Sequence, residues 1–458
     1  MITVFRSNQI HPVSGLKEQI RKQIEQLPRM LSAIGTLETV YRFEYDCEEL
    51  DLLTWLHNQS VDEKLYWSDR GGLFEVAGVL IADAISGQGV FDYHEVFAQL
   101  QRKLSSDNQN LRYYGGFCFD VNSMSEEWDL YGSYRWVIPR YEIIRQDQNY
   151  TFAVNIGIND ISVDHIHRIL RDLEKIDFSS TTNYRDVPRI TSREDKPTFN
   201  QWNNSFEDIL NGPWSKIVLA RRTDFKFDVS IRPSALIKFL KEQTPNCYHF
   251  CFQPDKQHGF LGATPERLIK VVDNDLWTEA VAGTTPKGNS TDQTKQEERK
   301  LLHDDKFQRE HSFVVEYIKT NLNNFCSRYQ FDQQADLLKL ENGQHLITRF
   351  EGVMNQGCRM EDVLKGLHPT PAVAGYPQEG IVDALIKNES FARGWYAGPV
   401  GYIGYDQMEF AVAIRSGLID NDKLSLFAGA GIVRGSTAQE EWDEIENKIS
   451  RFMKVFDR

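Results

Sequence analysis

The segment Arg-Tyr-Tyr-Gly-Gly-Phe-Cys-Phe-Asp at 112–120 and the run from 134 to 157 are crowded with aromatic and β-branched residues and contain few helix formers. Such runs favour extended strands, which commits much of the first half of the chain to β-structure. The glycine pair at 115 and 116 marks a bulge or a close approach of another backbone. Upstream, Leu16, Ile20, Ile24, Leu27 and Leu31 recur at helical spacing over 15–35, with Pro28 expected to kink or break that helix. The stretch 39–45 then turns strand-like.

From about 200 the elements alternate: a helix to Leu210, a strand at 216–227, a helix at 233–242, strands from 247 to 283, then helices. Polar residues and two prolines at 177–200 read as a surface connection, a seam between 1–190 and 200–458 inside one domain. Residues 287–300 are polar enough to predict a mobile loop leading into a helix that carries Glu310. At the end of the chain the pattern predicts a strand at 423–428, a tight turn at Gly429-Ala-Gly431 and a helix over 438–456. Glu441, Glu444 and Lys448 then share one helical face, with Glu440 and Glu446 on its wet side.

At 458 residues the chain is long enough for two or three average domains or one large α/β unit. Its net charge of −14 argues against nucleic acid or an anionic membrane as the main partner, since both demand a basic surface. The first ten residues lack the apolar core of a signal peptide and no run approaches twenty apolar residues, so the expected location is the cytoplasm. Six cysteines spread over this length fit reduced thiols, and Cys247 and Cys251 read as core positions of a strand rather than metal ligands.

Three dispersed stretches carry candidate chemistry. Lys216 stands directly before Ile-Val-Leu-Ala, a run that should be buried. A lysine near a low-dielectric pocket has its charged form disfavoured and can act as a general base, although lysine on a strand is ordinarily a solvated edge residue. Glu266, in Gly-Ala-Thr-Pro-Glu-Arg, could stay protonated and serve as a general acid if shielded, or be an exposed turn residue. Glu310 and Glu444 could offer oxygens to a hard divalent cation such as magnesium, or simply be solvated helix residues. Arg415, inside an apolar strand at Val-Ala-Ile-Arg-Ser, needs a carboxylate partner from protein or substrate. The Gly429-Ala-Gly431 turn offers backbone N–H groups that could cradle a carboxylate. No P-loop, dinucleotide fingerprint, zinc spacing or nucleophile elbow is present.

In order, Lys-Ile-Val-Leu-Ala-Arg, Gly-Ala-Thr-Pro-Glu-Arg-Leu, Ala-Gly-Thr, Arg-Glu-His, Leu-His-Pro-Thr-Pro-Ala-Val, Trp-Tyr-Ala-Gly-Pro-Val-Gly, Ile-Arg-Ser and Ala-Gly-Ala-Gly-Ile-Val occupy about 205–455. This set resembles the chorismate-utilising enzymes, which include anthranilate synthase component I, and within them most closely the isochorismate synthases of the menaquinone pathway. The resemblance implies a single α/β (α+β) fold with large antiparallel sheets surrounded by helices. Water-using members are similar in carrying lysine at the position of Lys216, where the ammonia-using anthranilate synthases have glutamine. Aminodeoxychorismate synthases carry a lysine just before the Gly-Thr pair, where this chain has Ala282-Gly283-Thr284.

Carried over position by position, the resemblance implies that Lys216 activates water for attack at C2 of chorismate and Glu266 protonates the departing C4 hydroxyl, giving isochorismate. Glu310 and Glu444 would hold magnesium on the ring carboxylate, with Glu441 a direct or water-mediated contributor. Arg415, Tyr396 and the backbone at Gly429 and Gly431 would grip the enolpyruvyl carboxylate, and Gly283, Thr284, His368 and Lys448 would complete the pocket. One departure is Phe307, where many relatives have an acidic or amide residue; outer-shell support for the metal would then be thinner, or supplied by Asp304 or Asp305. A water-using enzyme needs no glutaminase partner. The rival readings are a salicylate synthase, a siderophore-pathway isochorismate synthase and a non-catalytic chorismate-binding subunit, the last disfavoured because Lys216, Glu266, Glu310 and Glu444 are all in place.

Overall fold

The aromatic runs of the first half become neighbouring strands. Tyr134–Gln146 has Phe74–Gly87 on one edge and, on the other, Tyr113–Phe117 followed by Asn149–Ile158. The structure, a computed structural model, describes residues 4–11, 13–31, 39–158, 163–179, 188–288, 290–341 and 343–456. Among them only Val4–His11 and Thr39–Cys47 pair in parallel; the other ladders are antiparallel.

From Tyr134–Gln146 the sheet forks. One arm runs through Phe74–Gly87 to Lys64–Ser68, Tyr248–Gln253, His258–Thr264, Ser416–Asp420, Lys423–Val433, Lys216–Phe227 and Ile190–Lys196. The other runs through Tyr113–Phe117 to Pro399–Ile403, Gln407–Val412, Arg267–Val272, Asp275–Pro286 and Gly343–Met354. The chain crosses between the arms twice at one place. Pro265 and Glu266 join His258–Thr264 to Arg267–Val272, and residues 413–415 join Gln407–Val412 to Ser416–Asp420. The crossings brace each other: the Val412 N–H donates to the Glu266 carbonyl at 3.1 Å and the Ala263 N–H to the Arg415 carbonyl at 3.2 Å.

The glycine pair is a site of close approach. A Cβ on Gly115 would fall 1.8 Å from the Arg135 carbonyl oxygen, and one on Gly116 2.7 Å from that of Pro399. Strands of the first 190 residues are thus built into both arms, Lys64–Ser68 against Tyr248–Gln253 and Tyr113–Phe117 against Pro399–Ile403.

Four local expectations are corrected. The first helix, Val13–Leu31, continues through Pro28. An interior proline costs about 3 kcal/mol, but Leu16, Ile20, Ile24 and Leu27 are fully buried and each contributes about 1.5–3 kcal/mol. Part of the polar connection, Ile190–Lys196, is an exposed strand at the end of one arm, where charged side chains suit a sheet edge. Within 287–300, Thr291–His303 is a helix capped by Ser290, because Gln-Glu-Glu-Arg-Lys-Leu-Leu is a run of good helix formers. The strand Lys423–Val433 passes without a turn through Gly429 and Gly431, pairing them with Ala220 and Val218.

The last helix, Ala438–Met453, is anchored by the buried Ile445, Ile449 and Phe452, so its opposite turns are held over the sheet. Glu446, expected in water, is engaged there by Arg193 at 2.7 Å and by the buried Arg221. Cys247 and Cys251 are buried free thiols. Among the described residues no helix is long and apolar enough to cross a membrane.

Candidate active site

A cavity of about 890 Å³, including its mouth, opens between the two arms and the last helix. Val218, Leu426, Phe427, Gly429 and Gly431 line it from one arm, Val281 to Thr284 and His345 from the other, and Glu266 and Arg415 from the two crossings. Glu310, Tyr396, Glu444 and Lys448 complete the polar lining.

Lys216 opens its strand and is 1% exposed, with Nζ 3.2 Å from Glu310 Oε1. A buried lysine side chain needs such a polar partner. Glu310 projects from the helix Asp305–Phe325, which Asp304 caps by accepting from the Lys306 N–H at 2.8 Å. Asp304 is therefore spent on the cap and Asp305 is exposed, while Phe307 packs beside Gly283. Of the two alternatives raised by Phe307, this geometry favours the thinner outer shell over support from Asp304 or Asp305.

Glu266 is 4% exposed, and its carboxyl is raised to about 8, first by burial and then by the charge of Glu279; Lys216 and Arg415 pull the other way. It is therefore a protonated acid at neutral pH. Its shielding comes from the crossing, just ahead of the strand that begins at Arg267.

Arg415 is not on a strand but at the second crossing, with φ +50°, a conformation rarely adopted by a residue with a side chain. Its Nη2 donates to His345 Nε2 at 2.6 Å, and the His345 Nδ1–H then donates to Thr284 Oγ1 at 3.0 Å. Burial and the neighbouring Arg415 push His345 well below its ordinary pKa, so it is a neutral acceptor. Among the described residues no carboxylate forms an ion pair with Arg415, and burial lowers its pKa. A half-buried guanidinium at a cavity wall that, among the described residues, bonds a neutral imidazole and no carboxylate is prepared for an anion from outside.

Gly283, with φ +76°, sits where the register of Asp275–Pro286 slips against Gly343–Met354, a bulge that turns Thr284 toward His345. Tyr396 is buried, stacks on Phe427 at 5.3 Å between centroids, and has its phenol held well above the usual range by burial. Lys448 bridges the Gly429 carbonyl at 2.8 Å and Glu444 Oε1 at 2.6 Å.

The two glycines matter as empty space. A Cβ on Gly431 would lie 2.6 Å from Glu310 Oε1 and 3.4 Å from Lys216 Cε, and one on Gly429 3.2 Å from the Tyr396 hydroxyl. Gly431→Ala should therefore displace the Glu310 carboxylate and lower turnover by about tenfold or more, since small misplacements cost this much in a preorganised site; steady-state kinetics on the folded variant checks it.

Three predicted residues are outside the lining, and of these Lys216 reaches it through Glu310 while His368 and Glu441 stand apart. His368 is half-buried and outside the lining, its Nε2 donating to the Phe119 carbonyl at 3.1 Å. Glu441 lies outside the lining, paired with Lys306 at 3.1 Å, its carboxyl raised by burial and by the charge of Glu444. Among the described residues no three His, Cys, Asp or Glu side chains gather as a metal cage. Two carboxylates at the cavity wall, Glu310 and Glu444, still match magnesium, which takes one or two carboxylates and fills its octahedron with water and substrate oxygen. Sequence reasoning missed His345: it sits in Gln-His-Leu-Ile-Thr, an ordinary alternating strand, and only the pairing opposite Thr284 exposes its role.

The chain matches the family model described as chorismate binding enzyme over residues 29–457. It is 30% identical over 446 residues to the isochorismate synthase MenF of Haemophilus influenzae, covering 97% of this chain and 96% of the relative. It is 33% identical over 422 residues to the MenF of Escherichia coli, covering 88% and 90%. The solved structure of the Escherichia coli menaquinone-specific isochorismate synthase MenF superposes with a TM-score of 0.83 at 28% identity, over 95% of this chain and 99% of that one. A cavity walled by a shielded carboxylic acid and an arginine awaiting an anion, with a buried lysine held behind Glu310, in a fold and sequence matched along nearly their whole length, places this chain in the chorismate-binding enzyme family.

Proposed function

We propose that this chain is an isochorismate synthase, converting chorismate to isochorismate with magnesium, in the menaquinone branch, as the similar structure of the menaquinone-specific MenF of Escherichia coli supports. The observation that carries the reading is geometric: one cavity wall brings together the shielded Glu266 and Glu310, which holds the buried Lys216 amine at 3.2 Å.

Water attacks C2 of the ring as its proton passes to the Lys216 amine. The two ring double bonds shift, and the C4 hydroxyl leaves as water with the proton of Glu266. One water enters and one departs, so substrate and product are isomers. The ammonium formed on Lys216 is held by Glu310 at 3.2 Å, and the carboxylate formed on Glu266 by the positive charges of Lys216 and Arg415. Arg415, oriented by His345, grips a substrate carboxylate, with the Tyr396 phenol beside it. When bound, magnesium supplies a hard positive charge for the ring carboxylate, with Glu310 and Glu444 as the protein oxygens. The use of water needs no ammonia-supplying subunit, and the proposed location is the cytoplasm.

The test is incubation with chorismate and magnesium, products separated by chromatography, beside an EDTA control. Metal-dependent isochorismate without pyruvate is expected. Salicylate with pyruvate would move the enzyme to the salicylate-synthase reading, and absence of any product would overturn catalysis.

A further inference from the structure

Both peptide groups that flank Glu266 are held by one ion pair that does not reach the cavity. Arg70, in the turn between Lys64–Ser68 and Phe74–Gly87, donates from Nη1 to the Pro265 carbonyl at 2.7 Å. The same guanidinium meets both carboxylate oxygens of Glu279, at 2.5 and 2.8 Å. Glu279, on Asp275–Pro286, also accepts from the Arg267 N–H at 3.1 Å. The peptide before Glu266 and the peptide after it are thus tied to the same two side chains.

As a stability device such a pair is weak, because apolar residues of similar volume often do as well. As a geometric device it is strong: a bidentate guanidinium–carboxylate contact is planar and directional, and this one reaches across from the N-terminal half of the chain. Its charge also matters. The charged groups acting on Glu266 are Glu279, Lys216 and Arg415, with the Tyr396 phenol as a further titratable neighbour. Of these, Glu279 is the one that opposes a second negative charge, whereas both cations invite it.

We propose that Arg70 and Glu279 are positioning residues for Glu266, the pair fixing where its carboxyl points and Glu279 keeping a negative charge beside it. The inference rests on Glu266 being the proton donor of the proposed reaction. A donor must be protonated, so kcat/KM of the wild type should fall as pH rises through about 8. Glu279→Gln removes the repelling charge and leaves Arg70 unneutralised, and both changes favour the carboxylate form of Glu266. Its alkaline limb should therefore move to lower pH by about one unit, with KM for chorismate within about twofold of wild type. Arg70→Lys keeps a charge but cannot span three oxygens, so kcat should fall about tenfold with KM unchanged.

A Glu279→Gln variant with native circular dichroism and melting temperature whose limb coincides with the wild type would overturn the proposal. Should that variant not fold, Arg70→Lys decides: an unchanged kcat, or a loss confined to KM, would overturn it equally. Wild-type protein that makes no isochorismate sinks the functional reading and this inference with it, whereas an active wild type with coincident limbs sinks the positioning pair alone.

Discussion

Lys216→Ala lowers kcat for isochorismate formation by about 10²–10⁴-fold, the range a positioned general base contributes. The rest of the site should survive. The lysine begins its strand, so the ladder with Lys423–Val433 does not depend on its side chain. Its partner Glu310 retains some solvent contact, with a side chain 15% exposed against 1% for the lysine, and is not left as an isolated buried charge. Circular dichroism should therefore match the wild type. Chromatographic rates under saturating chorismate and magnesium are the measurement, and residual activity within tenfold of wild type would remove Lys216 from the role of base.

Glu310→Gln should raise the magnesium concentration for half-maximal activity by at least about tenfold, since even outer-sphere partners of metal ligands are worth 10–100-fold in affinity. The same change deprives Lys216 of its partner, so kcat should fall as well. Glu441→Gln provides the contrast. That carboxylate is buried against Lys306 and outside the lining, and its replacement should shift the magnesium requirement far less. A magnesium titration of the three proteins by activity and by calorimetry separates the cases, and equal shifts for Glu310→Gln and Glu441→Gln would place both at the metal.

Much of the site was readable before the structure because its residues come with characteristic neighbours: Lys216 before an apolar run, Glu266 after Thr-Pro, Glu444 and Lys448 four apart on a helix. What misled was local grammar overridden by the sheet. Gly-Ala-Gly is a turn signal in isolation, yet at 429–431 the ladder holds it extended and uses the missing side chains as room for Glu310 and Tyr396. The run around Arg415 looked like uninterrupted strand because its apolar residues do not announce that the chain is changing arms there. His345, Arg70 and Glu279 had no signal at all, since each is brought to the candidate site by a partner more than sixty positions away or by a crossing that only the folded sheet creates. The polar stretch at 287–300 shows the opposite error: polarity was read as looseness where helix propensity governed.

The fork in the sheet has a consequence for how the molecule comes into being. Lys64–Ser68 waits for Tyr248–Gln253, Tyr113–Phe117 waits for Pro399–Ile403, and the helix bearing Glu444 and Lys448 follows all four in the chain. Pairings so distant along the chain are slow to form and leave strand edges bare in the meantime. During synthesis, then, strands of the first half keep open edges until their partners in the second half emerge, and a polypeptide that lacks those partners is a client for chaperones.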